Sequence, residues 1–151
     1  MRRWVIGSSV GAMVALIAAI LLFTSPHHSV EPQVVLAGQT YHTTIMQSDE
    51  ERRRGLSGTE RLPSGQAMLF VFPDDERWGI WMKDMRYAID IVWLNSAARV
   101  VHMVEDAHPD SYPDTTYRSP VPSRYVIELP SGTIKRTAIA SGMKATLPPG
   151  V

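Results

Sequence analysis

Two carboxylates, Asp84 and Asp90, stand in the stretch Ala67–Leu94 (AMLFVFPDDERWGIWMKDMRYAIDIVWL) among bulky apolar side chains and three of the four tryptophans. A carboxylate in such company must be paired, hydrogen-bonded or shifted in pKa, so this is the first place to look for chemistry. Two carboxylates on either side of a substrate can divide the work of hydrolysis, one giving a proton while the other activates water or attacks. Asp84 and Asp90 flank a predicted turn, Met85–Ala88, and the spacing allows them to face one another or to diverge. In the structural alternative, Asp90 accepts backbone N–H bonds from a loop and Asp84 pairs with Lys83 or Arg86 at the surface.

Other residue groups carry weaker chemistry. His102, Glu105, Asp106 and His108 could ligate a metal through nitrogen and oxygen, but their spacing matches no established motif such as HExxH. On a regular strand His102 and Asp106 would share a face and Glu105 would point away. Met46, Met68, Met82, Met85 and Met103 with His102 offer thioether and imidazole ligands for copper, although methionine more commonly fills gaps in a core. The expectation is no metal and no cofactor. Trp78, Trp81, Trp93, Tyr87, Tyr112 and Tyr117 could form a stacking platform; Trp81 and Trp93 read as core, and the loop tyrosines as ligand contacts. Ser119 and Ser123 near His108 and Asp110 lack the G-x-S-x-G elbow of a serine hydrolase, and no glycine-rich phosphate loop occurs.

Short strands must position these groups. Period-two alternation predicts strands at Val34–Ala37, Tyr41–Gln47, Ala67–Phe72, Gly79–Lys83, Ile89–Asn95, Arg99–Glu105, Arg124–Leu129 and Lys144–Leu147. Ile89–Asn95 and Arg99–Glu105, separated by a short polar tip, form the clearest hairpin. Leu69, Val71, Ile91, Trp93 and Ile127 recur at alternate strand positions and are expected to share one core. Ser48 with Glu51 makes a capping box for a short helix stopped by Gly55, with Arg52 and Arg53 in the last turn where cations suit the dipole. Ser131 is expected to cap a second helix over Thr133–Ile139. Between them Ala107–Ser123 holds four prolines and two tyrosines, a loop of a length that is often functional.

The chain opens with Trp4–Phe23, uncharged and about 30 Å long as a helix, preceded by Arg2 and Arg3. The positive-inside rule leaves the N-terminus in the cytoplasm and carries the rest across the membrane. The apolar run is longer than a cleaved signal and ends in Leu21-Leu22-Phe23 without a small-residue cut site, which favours an uncleaved anchor at residues 1–23. A linker at 24–32 then leads to one domain at 33–151. With no cysteine this domain is held by packing alone. Fifteen basic against 15 acidic residues show none of the basic surplus of a nucleic-acid binder.

Five blocks in order, RGL (Arg54–Leu56), QAMLFVF (Gln66–Phe72), WMK (Trp81–Lys83), IDI (Ile89–Ile91) and RYVIEL–SG (Arg124–Gly132), resemble the domain-of-unknown-function 192 family, also called uncharacterised protein family 0127. The resemblance spans nearly the whole domain and implies a small, mainly β prokaryotic domain, often behind a signal or anchor, with no assigned activity. This chain has Asp84-Met85 where the family more often has Asn-Thr, and Ser57 where it has Met. Any role for Asp84 therefore stands on its own.

The sequence thus reads as a mainly β, compact single-domain β-barrel or β-sandwich with one or two short helices behind one N-terminal transmembrane helix. The expected function is that of an extracytoplasmic module binding a small ligand or envelope component, with the membrane as partner and no nucleic acid. Its expected site is a polar depression bordered by Trp81, Lys83, Asp84 and Asp90 and approached by Tyr117 and Ser119 of the proline-rich loop. The alternatives are a hydrolase using Asp84 and Asp90, and a structural domain packed on an envelope partner.

Overall fold

Ala37 and Gly38, both at positive φ, make the two-residue turn that joins β1 (Gln33–Leu36) to β2 (Gln39–Met46). The computed structural model describes residues 31–151; the predicted anchor and most of the linker lie outside the described residues. After β2 come α1 (Asp49–Arg54), β3 (Gln66–Glu76), β4 (Gly79–Ile80), β5 (Ile89–Leu94) and β6 (Val100–Ala107). A 3-10 turn (Pro109–Ser111), β7 (Tyr117–Arg118), β8 (Ser123–Pro130) and α2 (Thr133–Thr137) follow. No helix among the described residues is long and apolar enough to cross a membrane.

The domain is mainly β, with one mixed six-stranded sheet in the order β1-β2-β3-β8-β5-β6 and a two-stranded ribbon, β4-β7. Of the expected barrel or sandwich, a closed barrel is not formed among the described residues. Two isolated bridges, Val35 to Thr146 and Arg99 to Lys144, tie the C-terminal segment to both edges of the sheet without closing it. The strand expected at Lys144–Leu147 is reduced to these contacts, because Pro148 and Pro149 bring no N–H to continue a ladder. The pairing of β5 with β6 is as the hairpin pattern indicates. By contrast, β2 and β3 run parallel, the crossover between them carrying α1.

Both faces of the sheet are covered, which is why β3 reads as the unbroken apolar run MLFVF and β5 is buried at every position. One face packs Leu69, Val92, Ile127 and Leu129 against Ile134 and Ile139 of the α2 region. The other packs Phe70, Ile91, Trp93 and Val126 against Leu56, Ile80 and Met82. The five residues expected to share one core are therefore divided. Leu69 and Ile127 lie on the first face with partly buried Val71, and Ile91 and Trp93 lie on the second. Register explains this, since Leu69 is paired with Ile127 and Ile127 with Val92, one residue out of step with Ile91 and Trp93.

The two helices start by different means. Ser48 and Glu51 form the complete capping box, and Gly55 ends α1 at φ 46°. Ser131 does not cap α2, contrary to expectation; its hydroxyl donates to Asp106 at 2.6 Å. The N-cap position is Gly132, and the Gly132 and Ile134 N–H groups donate to Asp90 of the neighbouring strand β5.

Candidate functional site

A pocket of about 260 Å3 opens on the second face of the sheet, between α1 and the β4–β7 ribbon. Phe70, Phe72, Trp78 and Trp81 supply its aromatic surface, Arg53 and Arg54 stand on the α1 side, and Glu128 of β8 is in its wall. Phe72 and Trp78 stack at 4.4 Å between ring centroids and 9° between planes, so buried Phe72 backs the Trp78 ring. Trp78 is held by its indole N–H, which donates to the Asp74 carbonyl at 2.9 Å, and by its own carbonyl, which accepts from Trp93 Nε1 at 3.1 Å. The ribbon approaches so closely that a Cβ on Gly79 would fall 2.6 Å from Thr116 and 2.9 Å from the Arg118 guanidinium carbon. A larger residue there would require the Thr116 and Arg118 side chains to shift.

Glu128 is the anomaly of this site. It pairs in register with Met68 and Ile91 in the middle of the sheet, so its side chain joins the second face and is only 4% exposed. Among the described residues its Oε2 has no hydrogen-bond partner, and burial pushes the carboxyl up to about 8. At neutral pH the group is therefore mostly an uncharged acid with a proton to donate. Tyr87 is raised by burial, with a smaller contribution from Glu128, while its hydroxyl shares a 2.6 Å hydrogen bond with Thr59 Oγ1.

The three consecutive arginines of α1 differ in their engagements. Arg52 donates to the carbonyls of Gln47 and Val71 and pairs with Asp49, while its guanidinium lies 5.4 Å from the Phe72 ring centre. It serves to build the pocket wall. Arg53 and Arg54 are exposed, and among the described residues neither joins an ion pair or a side-chain hydrogen bond.

The residues singled out from sequence are dispersed around this pocket. Trp81 lines it and is 45% exposed. Lys83 is exposed, and its carbonyl accepts from Ser57 Oγ at 2.8 Å. Asp84 is exposed in the left-handed region at φ 55°, with its carbonyl bonded to Gly58 N–H. Tyr117 pairs with Ile80 in the ribbon and packs on the second-face cluster. Ser119 is buried, its hydroxyl oxygen accepting from Val121 N–H at 3.2 Å.

Asp90 lies on the other side of the sheet. Its Oδ1 accepts from Asp106 N–H at 3.0 Å and Gly132 N–H at 3.2 Å, and its Oδ2 accepts from Ile134 N–H at 2.7 Å. The turn bearing Asp84 packs through Met82 and Met85 onto the second face, so Asp84 and Asp90 are not brought into one cleft. The expected depression bordered by Trp81, Lys83, Asp84 and Asp90 is split by the sheet for the same reason.

The four candidate metal ligands are likewise dispersed. His102 lies against Trp93, Asp106 receives Ser131, and His108 Nδ1 accepts from Asp110 N–H and lies 3.2 Å from its carboxylate. An irregularity between Ile91–Val104 and Ile89–Ala107, with Asp106 at φ 53°, breaks the alternation that would have aligned His102 with Asp106. Among the described residues no three His, Asp or Glu side chains gather where a metal could be held.

No curated protein matches the chain. Two solved structures share the fold. One, a protein of unknown function from Novosphingobium aromaticivorans DSM 12444, is 21% identical with a TM-score of 0.71, covering 80% of this chain and 89% of its own. Another, described as a "putative transcription regulator" from Sinorhizobium meliloti 1021, is 25% identical with a TM-score of 0.70, covering 76% of this chain and 92% of its own. The family model DUF192, described as uncharacterized ACR, matches residues 33–147, with the pocket and Glu128 inside the matched span. The chain belongs to the DUF192 family.

Proposed function

We propose that this protein is a small-molecule binding module, held at the outer side of a membrane by its N-terminal apolar segment. The observation that carries the binding reading is Glu128, a buried carboxyl residue of an aromatic pocket's lining whose Oε2 has no partner among the described residues. Buried polar groups are nearly always satisfied, and leaving one unmet costs about 1–3 kcal/mol or more. A ligand that hydrogen-bonds Glu128 would offset that cost. The pocket volume, about 260 Å3, suits an occupant of about one ring.

The reading has a direct test. Trp78 and Trp81 line the pocket, so occupancy should change tryptophan emission and raise the unfolding temperature. A set of one-ring compounds, neutral, anionic and cationic, should contain binders whose effect is lost in Phe72→Ala. If no member of the set changes either signal at millimolar concentration, the module does not bind small molecules here.

The membrane part of the proposal rests on Arg2-Arg3 and the uncharged segment Trp4–Phe23. Fractionation of cells carrying a C-terminal tag should find the tag in the membrane, and protease added to intact protoplasts should remove it. A soluble mature protein beginning after residue 23 would overturn the anchor, and a protected tag the orientation. A nucleic-acid role is no part of this reading, since 15 basic residues are matched by 15 acidic ones.

A further inference from the structure

Resting on the binding reading, we infer that the occupant is a small aromatic carboxylate, with its ring against Trp78 and Trp81, its anion at Arg53 and Arg54, and a hydroxyl or carbonyl at Glu128. Charge decides the sign of the ligand. The charged groups lining the pocket are Asp49, Arg52, Arg53, Arg54 and Glu128. Asp49 is consumed by Arg52, and Arg52 in turn by two carbonyls and the Phe72 face. Glu51 lies near enough to Arg54 to feel its charge, but its Oε2 already accepts from Gln47 and Ser48 N–H. Two guanidiniums therefore dominate the potential at the mouth, which draws an anion and repels an amine.

Shape decides the rest. The Trp78 ring, backed by Phe72, and the exposed Trp81 ring offer flat surfaces, and a pocket of about 260 Å3 suits an occupant of about one ring. A planar guanidinium matches the two oxygens of a carboxylate. In its uncharged form Glu128 can donate to a hydroxyl or carbonyl oxygen without placing a negative charge beside the anion.

The experiment compares 4-hydroxybenzoate with 4-hydroxybenzyl alcohol and 4-hydroxybenzylamine on the full chain in detergent, by calorimetry and tryptophan emission at pH 6.5. The acid should bind about tenfold or more tightly than either analogue, the worth of one charge-assisted contact. Arg53→Gln with Arg54→Gln should erase that preference and leave the alcohol within about threefold of its wild-type affinity. Both arginines are exposed, so the double variant should keep its far-ultraviolet spectrum and unfolding temperature. Equal or tighter binding of the alcohol or amine, or an acid affinity unmoved in the double variant, would overturn the proposal while the binding reading stands. Silence of all three probes overturns it too, and the binding reading falls only if the wider set of one-ring compounds is also silent.

Discussion

Asp90 and Glu128 are buried carboxylates on opposite faces of one sheet, in the adjacent strands β5 and β8. Asp90 receives three backbone N–H groups, two of them from the start of α2. Among the described residues, Oε2 of Glu128 receives nothing. Local geometry accounts for the difference. On the first face a chain turn brings unpaired amides to Asp90, where a carboxylate is the natural acceptor. On the second face Glu128 meets aromatic rings and an opening instead of backbone donors. Burial alone therefore does not single out a carboxylate; on the proposed reading it is the missing internal partner beside a cavity that does.

The comparison is broken most directly at Asp90. Asp90→Ala orphans three amides whose bonds to a charged acceptor are worth about 1.5–3 kcal/mol each, so a destabilisation of roughly 5 kcal/mol is expected in urea unfolding. A loss below about 1 kcal/mol would show that Asp90 does not hold α2 to the sheet. Trp93, fully buried on the pocket face, should cost about 3–5 kcal/mol as Trp93→Ala. The same variant should also loosen Trp78, whose carbonyl accepts the Trp93 indole N–H, and so weaken the pocket wall.

Glu128 has the opposite signature. Its folded pKa, about 8 against 4.5 for a free side chain, means that the folded chain holds this proton more tightly than the unfolded chain. The associated stability is complete below about pH 4.5 and is lost as pH rises through about 8, by linkage on the order of a few kcal/mol. Glu128→Gln should flatten this dependence and leave the protein more stable than wild type at pH 9. Unfolding curves at pH 5, 7 and 9 decide it, and parallel profiles for the two proteins would deny Glu128 its raised pKa. Smaller still is Ser48→Ala, which removes one half of the capping box and should cost about 1 kcal/mol. Because α1 carries the pocket arginines, that variant should also weaken anion binding at the mouth.

What could be read along the chain was whatever depends on neighbours in sequence. The α1 capping box needs only Ser48, Glu51 and Gly55, and the β5–β6 hairpin needs two alternating runs and a tip, so these elements were legible before any fold was known. The five blocks spanning Arg54–Gly132 carried the family in the same way. Asp90 stands out for its apolar setting, but its partners lie 16 to 44 residues away, and only the pairing of β5 with β6 and β8 delivers them. Glu128 carries the same local signal as Asp90, a carboxyl residue between two apolar ones, Ile127 and Leu129. Whether such a carboxylate meets amides or a cavity depends on which face of the sheet it joins and on what covers that face. Those are long-range properties, set here by the register of β8 between β3 and β5 and by the docking of α1 and the β4–β7 ribbon, and no spacing along the chain encodes them.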